Sequence, residues 1–306
     1  MSPLPTRRQF LGGVTALAAL GGSKVTSAAS ARPVFSAQGN EFTFDTGALR
    51  GTLRGKGQSK GLIPVVDVAS GKPVARSYGW FSPYRLLDDT HRYGDAAWSW
   101  PSTARLLPNG AVEVNWPAHE QLPVEIAAVY RWSAPNVLDF PIRVTARRPV
   151  RRFEVFLASY FEGFPDTVVP VGPAREFVGA PRSAGDWQMF PRDEAAVSLI
   201  KDGRWKHAPS PVDWTIRPSH ALPLAIRRDP SRGQAAVLMT RPEECFAVAI
   251  PYDTEVHRSV YFSLFGRDLK EGESVGTWAR LWIGPDLTNA AALDLYRAFR
   301  ENPRTP

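Results

Sequence analysis

Tyr261-Phe262-Ser263-Leu264-Phe265-Gly266-Arg267-Asp268-Leu269-Lys270-Glu271-Gly272-Glu273-Ser274, running on into Trp278-Ala279-Arg280-Leu281-Trp282-Ile283, is a strand, an acidic glycine-bearing turn and a second strand. The same rhythm fills the rest of the chain, whose 28 prolines and 24 glycines separate short β-branched or aromatic segments. Strands are predicted over 41–46, 111–116, 125–132, 137–145, 153–159, 195–201, 222–227, 235–240, 246–250, 259–265 and 276–283. Asn109-Gly110 predicts a type I′ hairpin turn, and Lys201-Asp202-Gly203-Arg204 predicts another. Two stretches, 78–101 and 169–218, break the rhythm and are read as long aromatic loops of the kind that carry function. One packing helix is predicted from Asp286-Leu287-Thr288 to Arg300, with Leu293, Tyr296 and Phe299 at helical spacing.

So many strands exceed an immunoglobulin unit and call for two large antiparallel sheets packed face to face. The 261–283 stretch resembles the closing strands of galactose-mutarotase-like supersandwich domains. That resemblance implies an all-β fold, a large antiparallel β-sandwich with one short C-terminal helix. It also implies a carbohydrate-related role, as in aldose epimerases, polysaccharide lyases and accessory domains of glycosidases. The His-Pro-Tyr-Phe-type motif that supplies the acid in aldose epimerases is absent.

The first residues, Thr6-Arg7-Arg8-Gln9-Phe10-Leu11, precede a mild apolar run over 12–22, Lys24 and Ala29-Ser30-Ala31. This layout resembles a twin-arginine (Tat) signal peptide, which implies export of a folded chain by the Tat translocase into the periplasm or beyond. Residues 1–31 are read as the signal and 32–306 as a single domain, with cleavage after Ala29 the alternative to cleavage after Ala31. The apolar run is about half of what a bilayer core requires, so stable membrane insertion after cleavage is not expected. The lone Cys245 forms no intrachain disulfide and is read as a buried thiol in a strand. Of the formal charge of +7, Arg7, Arg8 and Lys24 contribute three, leaving +4 on 32–306, which is no nucleic-acid footprint. Arg147-Arg148 and Arg151-Arg152, around Pro149, read as a solvated turn.

The densest chemistry is Asp88-Asp89-Thr90-His91-Arg92-Tyr93-Gly94-Asp95-Ala96-Ala97-Trp98-Ser99-Trp100. In an extended segment Trp98 and Trp100 share a face, where indoles stack on the C–H faces of a pyranose while Arg92 and Asp95 bind its hydroxyls. A place in a strand core is the alternative for both. Over 153–162, alternation puts Phe153, Val155 and Leu157 on one face and Glu154, Phe156, Ala158, Tyr160 and Glu162 on the other. His91 with Tyr93 or Tyr160 are the candidate proton carriers, and Glu154 the assisting base. Trp187, beside Trp205 and Trp214, and His257 are further candidate substrate contacts. No histidine shows metal-ligand spacing, so no metal or other cofactor is expected; calcium across Asp88, Asp89 and Asp95 is the one ion considered. G-x-S-x-G, phosphate-loop and dinucleotide motifs are absent, which excludes the enzymes they mark. Gly51-Thr52-Leu53-Arg54-Gly55-Lys56-Gly57 is read as a glycine-rich turn.

The expected function is saccharide binding on a concave sheet face, with sugar epimerisation or β-elimination from a uronic acid by general acid–base chemistry. The alternative is a non-catalytic carbohydrate-binding or envelope interaction protein.

Overall fold

A computed structural model describes residues 33–76 and 78–301, all within the unit Arg32–Pro306. The Tat signal assigned to 1–31 lies outside the described residues. In chain order the strands are β1 (Phe35–Gln38), β2 (Glu41–Asp45), β3 (Leu49–Arg54), β4 (Leu62–Asp67), β5 (Ser82–Leu87), β6 (Thr103–Leu106), β7 (Val112–Trp116), β8 (Val124–Ala134), β9 (Val137–Ala146), β10 (Val150–Tyr160), β11 (Asp166–Val171), β12 (Glu176–Gly179), β13 (Trp187–Pro191), β14 (Thr215–Ile216), β15 (Leu224–Asp229), β16 (Gln234–Thr240), β17 (Cys245–Pro251), β18 (Ser259–Leu269) and β19 (Ser274–Pro285). The helices are α1 (Glu194–Ile200) and α2 (Asn289–Glu301). No helix among the described residues is long and apolar enough to cross a membrane.

The strands form a nine-stranded sheet in the order β12-β11-β15-β16-β19-β9-β8-β7-β6, a six-stranded sheet β14-β13-β17-β18-β10-β5, and a four-stranded sheet β1-β2-β3-β4. All pairs are antiparallel except the parallel β13–β14 contact. Strict alternation builds the main core: in β8, Val124, Ile126, Ala128, Tyr130 and Trp132 are buried while the intervening residues are half-buried. Those side chains meet Phe153, Val155 and Leu157 of β10 and Phe262 and Leu264 of β18 in one apolar cluster. The all-β antiparallel sandwich is therefore the architecture observed.

The opening 261–283 segment does not fold back within one sheet. β18 belongs to the six-stranded sheet and β19 to the nine-stranded one, so the turn at 270–273 carries the chain across the sandwich. The arginine-rich turn between β9 and β10 makes the same crossing at the same end. Backbone hydrogen bonds from Ala146 N to Glu273 O (2.9 Å) and Gly272 N to Ala146 O (2.8 Å) tie the two arches together.

Strand β10 is buried on both faces. The 153–160 alternation sends Phe153, Val155 and Leu157 inward, while Phe156, Ala158 and Tyr160 join a second apolar cluster on the outer face with Met189, Ala249 and Tyr261, covered by α1 and Trp205. A third cluster seats α2 on the outer face of the nine-stranded sheet through Ala292, Tyr296 and Phe299, near Trp278. Thr288 caps that helix, its Oγ1 accepting from Ala291 N at 3.2 Å.

Several local expectations are corrected. Residues 195–201 are not a strand: Asp193 accepts from Ala196 N at 2.9 Å and starts α1, with Glu194 in the first turn. Gly203 follows that helix and leads into the 3-10 turn Arg204–Lys206, not a hairpin. Gly110 does close the β6–β7 hairpin, but only Gly110 has positive φ (77°); Asn109 does not, so the turn is not type I′. Gly51 sits inside β3, not in a turn. The two stretches read as loops contain β5, the end of β11, β12, β13, α1 and β14.

Candidate functional site

The outer face of the six-stranded sheet opens into a cleft of about 310 Å³. Its floor is Tyr84 and Arg85 from β5, Phe156 and Tyr160 from β10, and Tyr261 from β18. Its walls are Trp187 at the start of β13, His257 just before β18, and Ser210 to Trp214 from the segment after the 3-10 turn. A register shift opposite Phe156–Leu157 sets three residues of β5 against two of β10: Arg85 lies across from Phe156 and Pro83 across from Leu157, with Tyr84 the extra residue between them. This bulge brings two consecutive side chains to the cleft, which an unbroken strand would send to opposite faces.

The aromatic rings are held by one another. Phe156 stacks on Tyr261 with centroids 4.5 Å apart and 13° between planes, and Tyr84 stacks on Trp98 at 4.4 Å and 5°. Tyr78 lies on the other side of Trp98 at 4.6 Å. Trp187 meets Trp214 edge-on at 6.1 Å and lies 6.0 Å from His257.

Among the polar groups, Ser259 Oγ donates to Tyr261 Oη at 2.8 Å and Tyr261 Oη to Tyr160 Oη at 3.3 Å, which leaves the Tyr160 hydroxyl proton for the cleft. Burial pushes both phenols up, Tyr261 to about 12 and Tyr160 well above its usual value, so both hold their protons at neutral pH. His257 Nδ1 lies 2.6 Å from Glu255 Oε1, so Nε2 is the ring nitrogen left for a ligand. The imidazole and Tyr160 ring centroids are 6.3 Å apart.

Of the residues singled out from the sequence, Tyr160, Trp187, Trp214 and His257 meet in this cleft. The 88–100 segment lies beside it and divides. Residues 97–99 form a 3-10 turn, so the expected shared face is lost: Trp98 packs with the outer cluster behind Tyr84, while Trp100 packs against the main core. His91 is exposed, 2.6 Å from Thr90 Oγ1 and 3.3 Å from Asp88 Oδ1. Tyr93 donates to Asp88 and packs against the main core, and burial followed by that bond raises its pKa. Neither His91 nor Tyr93 reaches the cleft lining. Arg92 spans the rim, donating to the carbonyls of Pro209 and, at 2.5 Å, of exposed Asp95.

Glu154 shares a sheet face with Phe156 and Tyr160 but lies fully buried beneath the 202–206 turn, its Oε2 3.0 Å from Arg204 Nη1. Burial raises its pKa against the pull of Arg204. It is a buried ion-pair partner, which corrects its placement as a base open to substrate. The three aspartates considered for calcium go separate ways. Asp88 would be raised by burial, but hydrogen bonds from Tyr93, Thr90 and His91 outweigh this and lower it; Asp89 pairs with Arg151 at 3.3 Å; Asp95 points to solvent. Among the described residues no three His, Cys, Asp or Glu side chains are grouped to hold a metal ion.

Tyr84, Arg85, Phe156 and Tyr261 line the cleft without having been assigned a role from sequence. Pro83 hid β5, because proline reads as a strand breaker, and the bulge at Tyr84 has no signature in the residue period. Phe156 and Tyr261 were visible as strand residues, and only the neighbours supplied by the fold make them a floor.

No family model matches the chain, and no curated protein does. Similar solved structures include the Slr1438 protein of Synechocystis sp. PCC 6803, 10% identical with a TM-score of 0.51 over 83% of this chain and 97% of that one. Others are a galactose mutarotase-like protein from Lactobacillus casei ATCC 334 (10% identical, TM-score 0.45, 82% of this chain and 100% of that one) and galactose 1-epimerase from Lactobacillus acidophilus NCFM (11%, 0.45, 83% and 98%). At these identities the likeness is one of fold.

Proposed function

We propose that the protein is an exported, carbohydrate-active enzyme that binds a saccharide in the cleft on the six-stranded sheet and moves protons between Tyr160 and His257. One observation carries this reading: six aromatic rings, Tyr84, Phe156, Tyr160, Trp187, Trp214 and Tyr261, enclose a phenol with an uncommitted proton and an imidazole with one uncommitted nitrogen. Aromatic walls suit the C–H faces of a sugar ring, and the polar tips suit its hydroxyls.

Tyr160 is the acid. Its pKa, raised by burial and by the neighbouring Tyr261 phenol, keeps the proton on until a substrate oxygen takes it. His257, oriented by Glu255 through Nδ1, is the base through Nε2. These two roles serve epimerisation at an anomeric carbon, where the base takes the hydroxyl proton and the acid protonates the ring oxygen. They serve equally β-elimination, where the base takes a carbon-bound proton beside a carboxylate and the acid protonates the leaving oxygen.

The test is a screen of purified 32–306 against mono-, oligo- and polysaccharides, reading melting shift, anomer exchange by NMR and ultraviolet-absorbing unsaturated products. Tyr160→Phe and His257→Gln are each expected to lower turnover about 100-fold while the ligand-induced melting shift persists. Full turnover in both variants would overturn the acid–base assignment, and binding with no turnover of any sugar would make the cleft a recognition site. Export is tested by N-terminal sequencing of the protein recovered outside the cytoplasm, with a start at Arg32 expected.

A further inference from the structure

The cleft is rich in hydrogen-bond donors and contains no carboxylate. Arg85 is 6% exposed, and no Asp or Glu lies within ion-pair distance of it among the described residues. Its Nη2 donates to Tyr84 Oη at 3.3 Å, and its buried Nε has no partner. The guanidinium is held between the Tyr84 and Trp205 rings, 5.0 and 5.4 Å from their centroids, a packing that fixes its direction without neutralising its charge. Trp214, which also lines the cleft, has its buried Nε1 without a partner among the described residues, and the Tyr160 hydroxyl adds a third donor. Two other buried guanidiniums are engaged along their whole edge: Arg204 by Glu154 and Asp202, Arg227 by the carbonyls of Phe164, Pro165 and Ser259. A buried cation left without a counter-charge is costly, and the ordinary remedy is an anionic partner.

Resting on the saccharide reading above, we propose that the cleft selects a saccharide bearing one negative charge, a carboxylate or a sulfate ester, which Arg85 binds through its free edge with Trp214 and Tyr160 completing the donor set. Arg85 is the one unbalanced cation of the lining, so a single charge on the ligand balances it. Arg92 reinforces the field from the rim: burial and then the proximity of Arg85 lower its pKa, two guanidiniums sharing one side of the cleft.

The experiment titrates purified 32–306 with three disaccharides of equal length, neutral galactobiose, the same disaccharide with one galacturonate unit and the same disaccharide with one O-sulfate ester, following the fluorescence of the tryptophans that line the cleft. At least one acidic ligand is expected to bind tenfold or more tighter than the neutral one. The tighter of the two acids identifies the anion. In Arg85→Gln that ratio is expected to fall below threefold, with Arg85→Lys between. If Arg85→Gln does not melt cooperatively, the wild type decides: added sodium chloride is expected to weaken the acidic ligand and leave the neutral one unmoved. Equal affinity for neutral and acidic ligands overturns the charge selectivity and leaves the saccharide reading standing. An acid preference that survives Arg85→Gln overturns the role of Arg85. Absence of binding by all three ligands, and across the wider sugar screen, overturns both readings.

Discussion

At the scale of single residues, His220 is the group whose protonation the fold resists most visibly. It is 6% exposed, neither ring nitrogen has a partner among the described residues, and burial, followed by nearby Arg192, lowers its pKa from 6.5 to about 4. The neutral imidazole is thus native, while the unfolded chain takes up the proton below pH 6.5. Stability that is complete above that value is lost as pH falls toward 4, by about 3 kcal/mol for a shift of this size. Urea midpoints of wild type and His220→Leu at pH 7 and pH 4 check this: the variant is expected to lose about 3 kcal/mol less on acidification, and parallel losses would refute it. Nothing in the sequence around Ser219-His220 marks this site, because the desolvation comes from residues distant in the chain.

At the scale of elements, Gly51 shows how closely β3 and β4 approach. A Cβ there would stand 2.1 Å from the Pro64 carbonyl oxygen and 3.1 Å from the Phe44 ring, both held by their own strands. Gly51→Ala is expected to destabilise the protein by about 1–3 kcal/mol, the usual range for overpacking, read as a lower thermal midpoint. Gly39→Ala, at a turn with positive φ and no atom within 4 Å, separates backbone strain from crowding and is expected to cost less. Strands β8, β9 and β19 were legible from the sequence because one periodicity sets both their burial and their pattern, while β10 and β16, buried on both faces, were legible as apolar runs bounded by turn residues. The helix α2 was legible for the same reason. What escaped was local geometry that breaks periodicity: the capped helix at 194–200 hidden in an apolar run, the 3-10 turn that parts Trp98 from Trp100, and the bulge that brings Tyr84 and Arg85 together. The cleft was accordingly half legible, with Tyr160, Trp187, Trp214 and His257 in view and its cationic floor out of view.

At the scale of the whole molecule, the Arg204 ion pair joins the sandwich to the wall of the cleft. Arg204 holds Glu154 of β10 on one side and Asp202 at 2.8 Å on the other, and the chain leaving it carries Trp205 and Trp214. Arg204→Met leaves the buried Glu154 carboxylate without its partner and is expected to cost about 3–5 kcal/mol, with ligand-induced melting shifts diminished as the wall loosens. A double variant, Glu154→Leu with Arg204→Met, is expected to regain part of that stability by removing the stranded charge, measured by urea denaturation. No regain would mean that Arg204 acts through packing alone. The sheet margins have a consequence of their own. The outermost strands β1, β6 and β12 are four residues long and β14 only two, while the six-residue edges β4 and β5 are met along their rims by the protein's own returning chain, β4 at Pro73 and Trp80 and β5 at Arg92 and Tyr93. A neighbouring molecule seeking to extend these ladders finds few consecutive rungs to grip, so crowding this protein to high concentration should leave it free of the fibrous, strand-upon-strand polymerisation to which large flat sheets are prone.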